Sequence, residues 1–206
     1  MSSQSDSDSN KGRWSRFWRR PESKWLLGIP IGAWVMFWAG AASIVGSEIV
    51  MYETATEDFC ASACHSMKTF TAPEWQDSVH FSNPSGVRAL CADCHIPKVY
   101  PQKLWAKAYD GGRHIWGEMI SVIDTQEKYD ARRTYLADRV WKHMKATDSR
   151  ECRNCHNDKY FELSGQDERA ARAHHTGPQE GKTCIDCHKG IAHKTPDEVA
   201  EESAAR

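Results

Sequence analysis

Apolar residues are concentrated in one stretch of this chain. From Trp25 to Ser47 the sequence WLLGIPIGAWVMFWAGAASIVGS contains no charged side chain. As a helix rising about 1.5 Å per residue, that stretch spans roughly 34 Å, enough for a hydrocarbon layer of about 30 Å. Pro30 lies near its start and is expected to kink the helix, which membranes tolerate. Lys11, Arg13, Arg16, Arg19, Arg20 and Lys24 precede the span, and Glu48, Glu53, Glu57 and Asp58 follow it. This asymmetry predicts a single pass through the inner membrane, with the N-terminus in the cytoplasm and the rest of the chain outside. The alternative is a cleavable signal peptide, with Ala41-Ala42-Ser43 as its cut site. Its apolar region would run only about 7–15 residues, so an uncleaved anchor is expected. Trp14, Phe17 and Trp18 recur at helical spacing among arginines, which suits a short helix at headgroup level. Gly28 and Gly32 form a GxxxG, either a helix-pairing face or an accident of small residues.

Beyond the span the pattern is polar and helical, and no strand alternation stands out. From Thr125 to about Lys145, Tyr129, Leu136, Val140 and Met144 share one stripe, and Asp124-Thr-Gln-Glu127 reads as the start box of that helix. The segment KLWAKAYDGGRH reads as a charge-bearing helix, with a candidate C-cap at Gly111-Gly112. The expected architecture is mainly α with long loops. Its segments are a basic N-terminal stretch (1–24), an anchor (25–47), an outer domain (48–195) and a polar, solvated tail (196–206). The outer domain has few aliphatic side chains, so a core there needs apolar mass from cofactors, or covalent staples.

The cysteines point to cofactors. The chain has 206 residues, a formal charge of −1 and no basic block, which excludes a nucleic-acid-binding surface. Its eight cysteines form four pairs: Cys60/Cys64, Cys91/Cys94, Cys152/Cys155 and Cys184/Cys187. A histidine follows each pair: His65, His95, His156 and His188. Three pairs read C-x-x-C-H, the attachment signal of c-type haem. Two thiols add across the two vinyl groups of the haem, and the next residue presents an imidazole to the iron. The first motif, CASACH, has one extra residue, but thiols three or four apart still share a helical face. Zinc knuckles do not require a histidine directly after the second cysteine, and disulfides would not explain the histidines at all. The expectation is therefore four haems c on thioether bonds, with no cysteine left for a disulfide. The pairs also fall into two similar halves. Cys60 and Cys91 are 31 apart and Cys152 and Cys184 are 32 apart, which predicts two dihaem units.

Six histidines remain: His80, His114, His143, His174, His175 and His193. A second strong ligand makes a haem iron six-coordinate and suited to electron transfer. His193, five residues after His188, is too close for the same haem and should reach another. Met67, two residues after His65, is a candidate axial ligand of the first haem, with ordinary packing as the alternative. His143, on the long helix, fits a surface role best.

The stretches DFCASACHSM, SVHFSNPSGVRALCADCHIPK, IDTQEKYDARRTYLADRVWKHMKATDSRECRNCH and GKTCIDCHKGIAH closely resemble the NapC/NirT family of membrane-anchored tetrahaem quinol dehydrogenases. The likeness runs from the anchor to about Lys194. It implies that a membrane quinol, mena- or ubiquinol, is oxidised near the first haem. Electrons would then pass from haem to haem to a periplasmic terminal reductase, the nitrate reductase first among the candidates. The absence of a fifth motif separates the chain from pentahaem relatives serving trimethylamine N-oxide reduction. The resemblance also implies His80, His174 and His193 as distal ligands, with His193 serving the haem of His156 and His80 that of His188. By the same likeness Met67 would bind the first iron, and Lys103 and Asp110, seven apart on one helix face, would match the lysine over the second haem and the aspartate over the first. The fourth distal ligand stays open among His114, Met67, Lys98, Lys103 and His174. Quinol oxidation releases two protons and needs a base. Asp110 is the candidate, assisted by Lys103 or His114, and a solvated helix face is the alternative. Other readings are donation to a nitrite, N-oxide or S-oxide reductase, direct reduction of nitrite or hydroxylamine, or an electron wire without a quinol site. A homodimer is a candidate assembly.

Overall fold

The computed structural model describes residues 25–26 and 29–205. The basic flank with Trp14, Phe17 and Trp18, and Gly28 of the GxxxG, lie outside the described residues. Two short strands, β1 (Trp25–Leu26) and β2 (Ile29–Pro30), pair antiparallel with Trp25 opposite Pro30. Helix α1 (Ile31–Glu53) follows directly. The expected helix from Trp25 with a kink at Pro30 is thus corrected: Pro30 precedes the helix instead of bending it. Proline lacks an N–H and pushes the residue before it out of the α region, so Ile29 is extended and the helix starts one residue after the ring. At its other end α1 runs past Ser47 through Glu48 to Glu53, since glutamate is a good helix former. Among the described residues this is the one helix long and apolar enough to cross a membrane, and it buries none of its side chains in protein. The Ser43 and Ser47 hydroxyls donate back to the carbonyls of Ala39 and Ile44, at 2.8 and 2.7 Å, so their polarity is satisfied within the helix.

The chain divides into two compact units at Val50/Met51. The second is helical with long connections. It holds α2 (Glu57–Ser62), a π-helical turn (Met67–Thr71), α3 (Ala72–Gln76), α4 (Cys91–His95), α5 (Gln102–Met119) and α6 (Gln126–Ala146). Then follow α7 (Arg150–Arg153), α8 (Glu168–Thr176), α9 (Cys184–Cys187) and α10 (Pro196–Ala204). Among the described residues the buried apolar side chains are Phe70, Ala72, Trp75, Ala106, Tyr129, Met144 and Ile185. Seven side chains are few for a unit of this length, in line with a core that polypeptide alone does not fill.

Helix α6 follows its predicted stripe, with two differences. Its N-cap is Thr125, whose hydroxyl accepts from the Lys128 N–H at 3.4 Å, while Asp124 pairs with the Lys128 ammonium at 2.7 Å. The stripe buries Tyr129 and Met144 and half-buries Leu136 and Val140, but it also buries Arg133. Tyr129 stacks on Phe70, with ring centroids 5.4 Å apart. Helix α5 does not end at Gly111-Gly112 as a C-cap there would require. Each helical glycine costs about 1 kcal/mol, but α5 is pinned on both sides of the pair. Asp110 binds Arg139 and Arg113 donates to the Tyr135 hydroxyl, both on α6, and Glu118 accepts from the Ser66 N–H at 3.1 Å. The polar tail folds as α10, capped by Thr195 and Glu198.

Ser149 is fully buried and left-handed, at φ 48°. Its hydroxyl accepts the Ile185 N–H at 3.1 Å, which ties the third motif to the fourth. Ser149→Ala should cost about 1–3 kcal/mol, because it strands a buried donor. Ser149→Gly should cost less, because glycine accepts φ > 0 without strain. The order of the two unfolding midpoints checks this.

Candidate haem site

Each cysteine motif sits on or directly against a short helical turn, and two of the turns are held by an aspartate that the sequence reading missed. In α4 the Asp93 carboxylate accepts the Leu90 N–H at 3.0 Å. In α9 Asp186 accepts the Thr183 N–H at 2.9 Å and also meets the Lys145 ammonium at 2.6 Å. The Lys145 contact holds the Asp186 carboxyl down to about 2. The signal was the aspartate in C-A-D-C-H and C-I-D-C-H, at the third helical position, where a carboxylate can reach back to the first free N–H.

The third motif departs from the expected pattern at Cys155. Cys152 lies within α7, but that helix ends at Arg153, so Cys155 falls in the turn beyond it instead of on the motif helix. The turn still folds back on the helix: the Cys155 and His156 N–H groups both donate to the Cys152 carbonyl, at 3.2 and 2.8 Å. The Arg153 guanidinium is held by Asp148 at 3.2 Å and Asp158 at 2.8 Å, one on each side of the motif. Cys155 is exposed, as is Cys187 of the fourth motif, while the other six cysteines are half-buried.

Successive motifs are neighbours in space. The Cys91 thiol hydrogen-bonds Cys60, which holds Cys60 down to about 7 and pushes Cys91 up. Cys94 is pushed up to about 11, chiefly by burial and then by Cys152, with Asp93 and Cys155 adding to the rise. Both thiols of the third motif thus act on the second. Ser149 and Ile185 join the third motif to the fourth. The motifs therefore run in the order one, two, three, four, and the second and third approach across the boundary between the two expected halves. None of the cysteines is in a disulfide. Among the described residues no group of three or more His, Cys, Asp or Glu converges on a point where it could hold a bare metal ion, as a zinc knuckle would require.

Three imidazole pairs define the rest of the site. Ring centroids are 6.3 Å apart for His95 and His193, 6.2 Å for His80 and His156, and 5.9 Å for His174 and His188. Metal–imidazole bonds of about 2.0–2.1 Å on opposite sides of one metal put the ring centres roughly 6 Å apart. These residues thus fit a haem iron between each pair. Second contacts orient the rings. His80 Nδ1 lies 3.2 Å from the Ile191 carbonyl and His174 Nδ1 2.6 Å from Gln166 Oε1. Each donates from Nδ1, which leaves Nε2 as the free lone pair, the usual second contact of a metal-binding histidine. His193 Nδ1 is buried and points at Glu74 Oε2 from 3.9 Å. Loss of water, and then the Arg133 charge, push the His193 imidazole down to about 4, so it is neutral at physiological pH, as an iron ligand must be.

The expected pairings need correction. The structure brings His193 to His95, not to His156, and His80 to His156, not to His188. After His188 the chain turns at Gly190 (φ 72°) and runs back to α3, where the Lys194 N–H is held by Glu74 at 3.1 Å, and this carries His193 to the second motif. His174, not its neighbour His175, faces His188; His175 lies 3.5 Å from the Gln179 amide.

The first motif is different. Among the described residues His65 faces no second imidazole. Its Nε2 lies 3.3 Å from the Asp124 carbonyl and its Nδ1 3.5 Å from the Thr69 hydroxyl. Met67 lines a narrow apolar cavity with Cys60, Cys91, Cys94, His95 and His193. On α5, Asp110 is bound by Arg139, and Lys103 lies over the Tyr100 ring at 5.2 Å. His114 is exposed on α5, within electrostatic reach of His95. The structure therefore does not bring Lys103 and Asp110 into contact with each other. Between them on the same face stands Lys107, which the sequence reading passed over. It donates to the Thr54 carbonyl and hydroxyl at 2.6 and 2.9 Å, and its charge acts on Cys60. The signal was its position, four after Lys103 and three before Asp110.

Cysteine pairs on helical turns, each followed by histidine, with further imidazoles set opposite three of them, define a c-type cytochrome. Comparison with known proteins agrees. The model of the NapC/NirT cytochrome c family, N-terminal region, matches residues 22–198. The denitrification system component NirT of Stutzerimonas stutzeri is 39% identical over 204 residues, covering 96% of this chain and 98% of that protein. The cytochrome c-type protein NapC of Escherichia coli K12 is 40% identical over 198 residues, covering 93% and 95%. A putative tetraheme cytochrome of Allochromatium vinosum is 44% identical over 170 residues, covering 82% and 90%. This chain belongs to the NapC/NirT cytochrome c family, and its cofactor is covalently bound haem c. No solved structure matches.

Proposed function

We propose that this protein oxidises a membrane quinol and passes the electrons through four haems c to a periplasmic reductase, the nitrate reductase first among the candidates. The reading rests on one observation: three motif histidines each face a second imidazole at iron-spanning distance, along motifs laid end to end. Bound haem c supplies one-electron chemistry at each motif. The eight cysteines, exposed Cys155 and Cys187 included, hold the four groups. His95 and His193, His156 and His80, and His188 and His174 supply the axial nitrogens of three. For the first, His65 is the motif ligand, and Met67, two residues further on, supplies the sulfur opposite it. The arrangement is one row of four, made of two dihaem units joined where the second motif meets the third. Helix α1 is the single-pass anchor, with the N-terminus in the cytoplasm and the haem domain in the periplasm. The relatives named NapC and NirT, the latter a denitrification component, support a reductase of nitrogen-oxide respiration as the partner.

At the quinol end, Asp110 accepts a proton from the quinol hydroxyl, and Lys103 and Lys107 supply positive charge beside the first motif. Asp110→Asn in the haem-loaded protein should lower the rate of reduction by a quinol analogue by about 10²-fold, within the range of general-base effects, and leave the haem spectra unchanged. An unchanged rate would remove Asp110 from the mechanism. The reading as a whole is tested by intact mass of the mature protein, reduction by a quinol analogue in nanodiscs, and reoxidation by nitrate reductase with nitrate. A mass short of four haems, or no reduction by quinol, would end it.

A further inference from the structure

Helix α5 carries its apolar residues on the side away from its own domain. Leu104, Trp105, Tyr109, Ile115, Trp116 and Met119 are all exposed, between 43% and 70%. At 100° per residue they share one face of the helix. The opposite face is polar and makes the contacts with the domain. Lys107 binds Thr54, Asp110 binds Arg139, Arg113 binds Tyr135 and Glu118 binds Ser66, with buried Ala106 among them. A surface helix of a water-soluble domain shows the reverse arrangement. A patch of this kind marks an interaction site.

We infer that the apolar face of α5 rests in the headgroup layer of the bilayer that α1 crosses. The composition of the face fits that layer: two tryptophans and a tyrosine, with Trp105 and Tyr109 stacked 5.6 Å apart and nearly parallel. Cationic Arg113 stands at the edge of the face, as in helices that lie on anionic lipid. Chain connectivity supplies the second argument. Thr54 is the residue after the end of α1, and Lys107 of α5 is hydrogen-bonded to it twice. Helix α5 is thus tied to the point where the anchor leaves the lipid. Lipid contact turns an exposed apolar stripe into a buried one and sets the haem domain down on the membrane along an 18-residue helix.

The inference rests on α1 being a membrane span, and the test separates the two. The full-length, haem-loaded protein is placed in nanodiscs of phosphatidylethanolamine and phosphatidylglycerol carrying a diazirine lipid, irradiated and mapped by mass spectrometry. Peptides of α1 and α5 should both carry lipid adducts, with α5 at least about tenfold above α6, as burial of one helix face in lipid predicts. Replacing Trp105, Trp116 and Met119 together by glutamate should lower α5 labelling to the α6 level and leave α1 labelling unchanged. Labelled α1 with unlabelled α5 overturns the inference. Unlabelled α1 overturns the membrane reading and this inference with it.

Discussion

Arg133→Met should lower the unfolding midpoint of the haem-loaded protein by about 10 °C, the equivalent of losing about 3–5 kcal/mol in a domain of this size. Arg133 is 5% exposed on the inner stripe of α6, and Glu74 opposite is 13% exposed. The guanidinium holds both Glu74 oxygens, at 2.7 and 3.0 Å, Asp130 at 2.9 Å and the Lys194 carbonyl at 3.1 Å, and lies over the Tyr129 ring. Methionine fills the volume but leaves the Glu74 charge buried without its partner. That stranded charge accounts for most of the cost, so the double variant Arg133→Met with Glu74→Gln should recover most of the loss. Arg133→Lys should fall between, because one ammonium cannot fork to two carboxylates and a carbonyl. A midpoint unmoved by Arg133→Met would show that the cluster contributes nothing to stability.

His193→Ala should convert one haem in four from low-spin to high-spin, visible in the electron paramagnetic resonance spectrum, because it removes one of two strong axial ligands. The identity of that haem distinguishes the observed geometry from the pairing first expected. Combined with His95→Ala, the number of disturbed haems should stay at one, since both rings face the same iron position at 6.3 Å. Combined with His156→Ala it should rise to two. If instead His156 is the variant that leaves the number at one, the His95–His193 pairing is wrong and the alternative inferred by resemblance is right.

The motifs, the apolar span and helix α6 were legible because each is local: a spacing, a run without charge, a period of 3.6. Tyr129 and Met144 landed where the stripe put them. Arg133 did not, because a charged residue on an apolar stripe is normally assigned to solvent, and only its distant partner Glu74, 59 residues earlier, makes burial possible. Cys155 shows the limit of a spacing. The motif names the residue, but not that its helix ends at Arg153 and leaves Cys155 in the turn beyond. The partners of the histidines were illegible for a related reason. His80 and His156 are brought together by loops, and no local pattern records where a loop returns. In α1 the local rules were available but were weighed wrongly: Pro30 at the edge of an apolar run reads as a kink or as a boundary, and it is a boundary. The stripe of α5 misleads in the opposite direction. Periodicity shows that one face is apolar, but not whether protein or something else covers it.

The return of the chain from the fourth motif to the second has a consequence for how the molecule is made. Synthesis runs from the N-terminus, so Cys91 and His95 emerge 102 and 98 residues before His193. The second attachment site is therefore finished last. A chain truncated anywhere before residue 193 keeps the second motif but lacks the imidazole that faces His95.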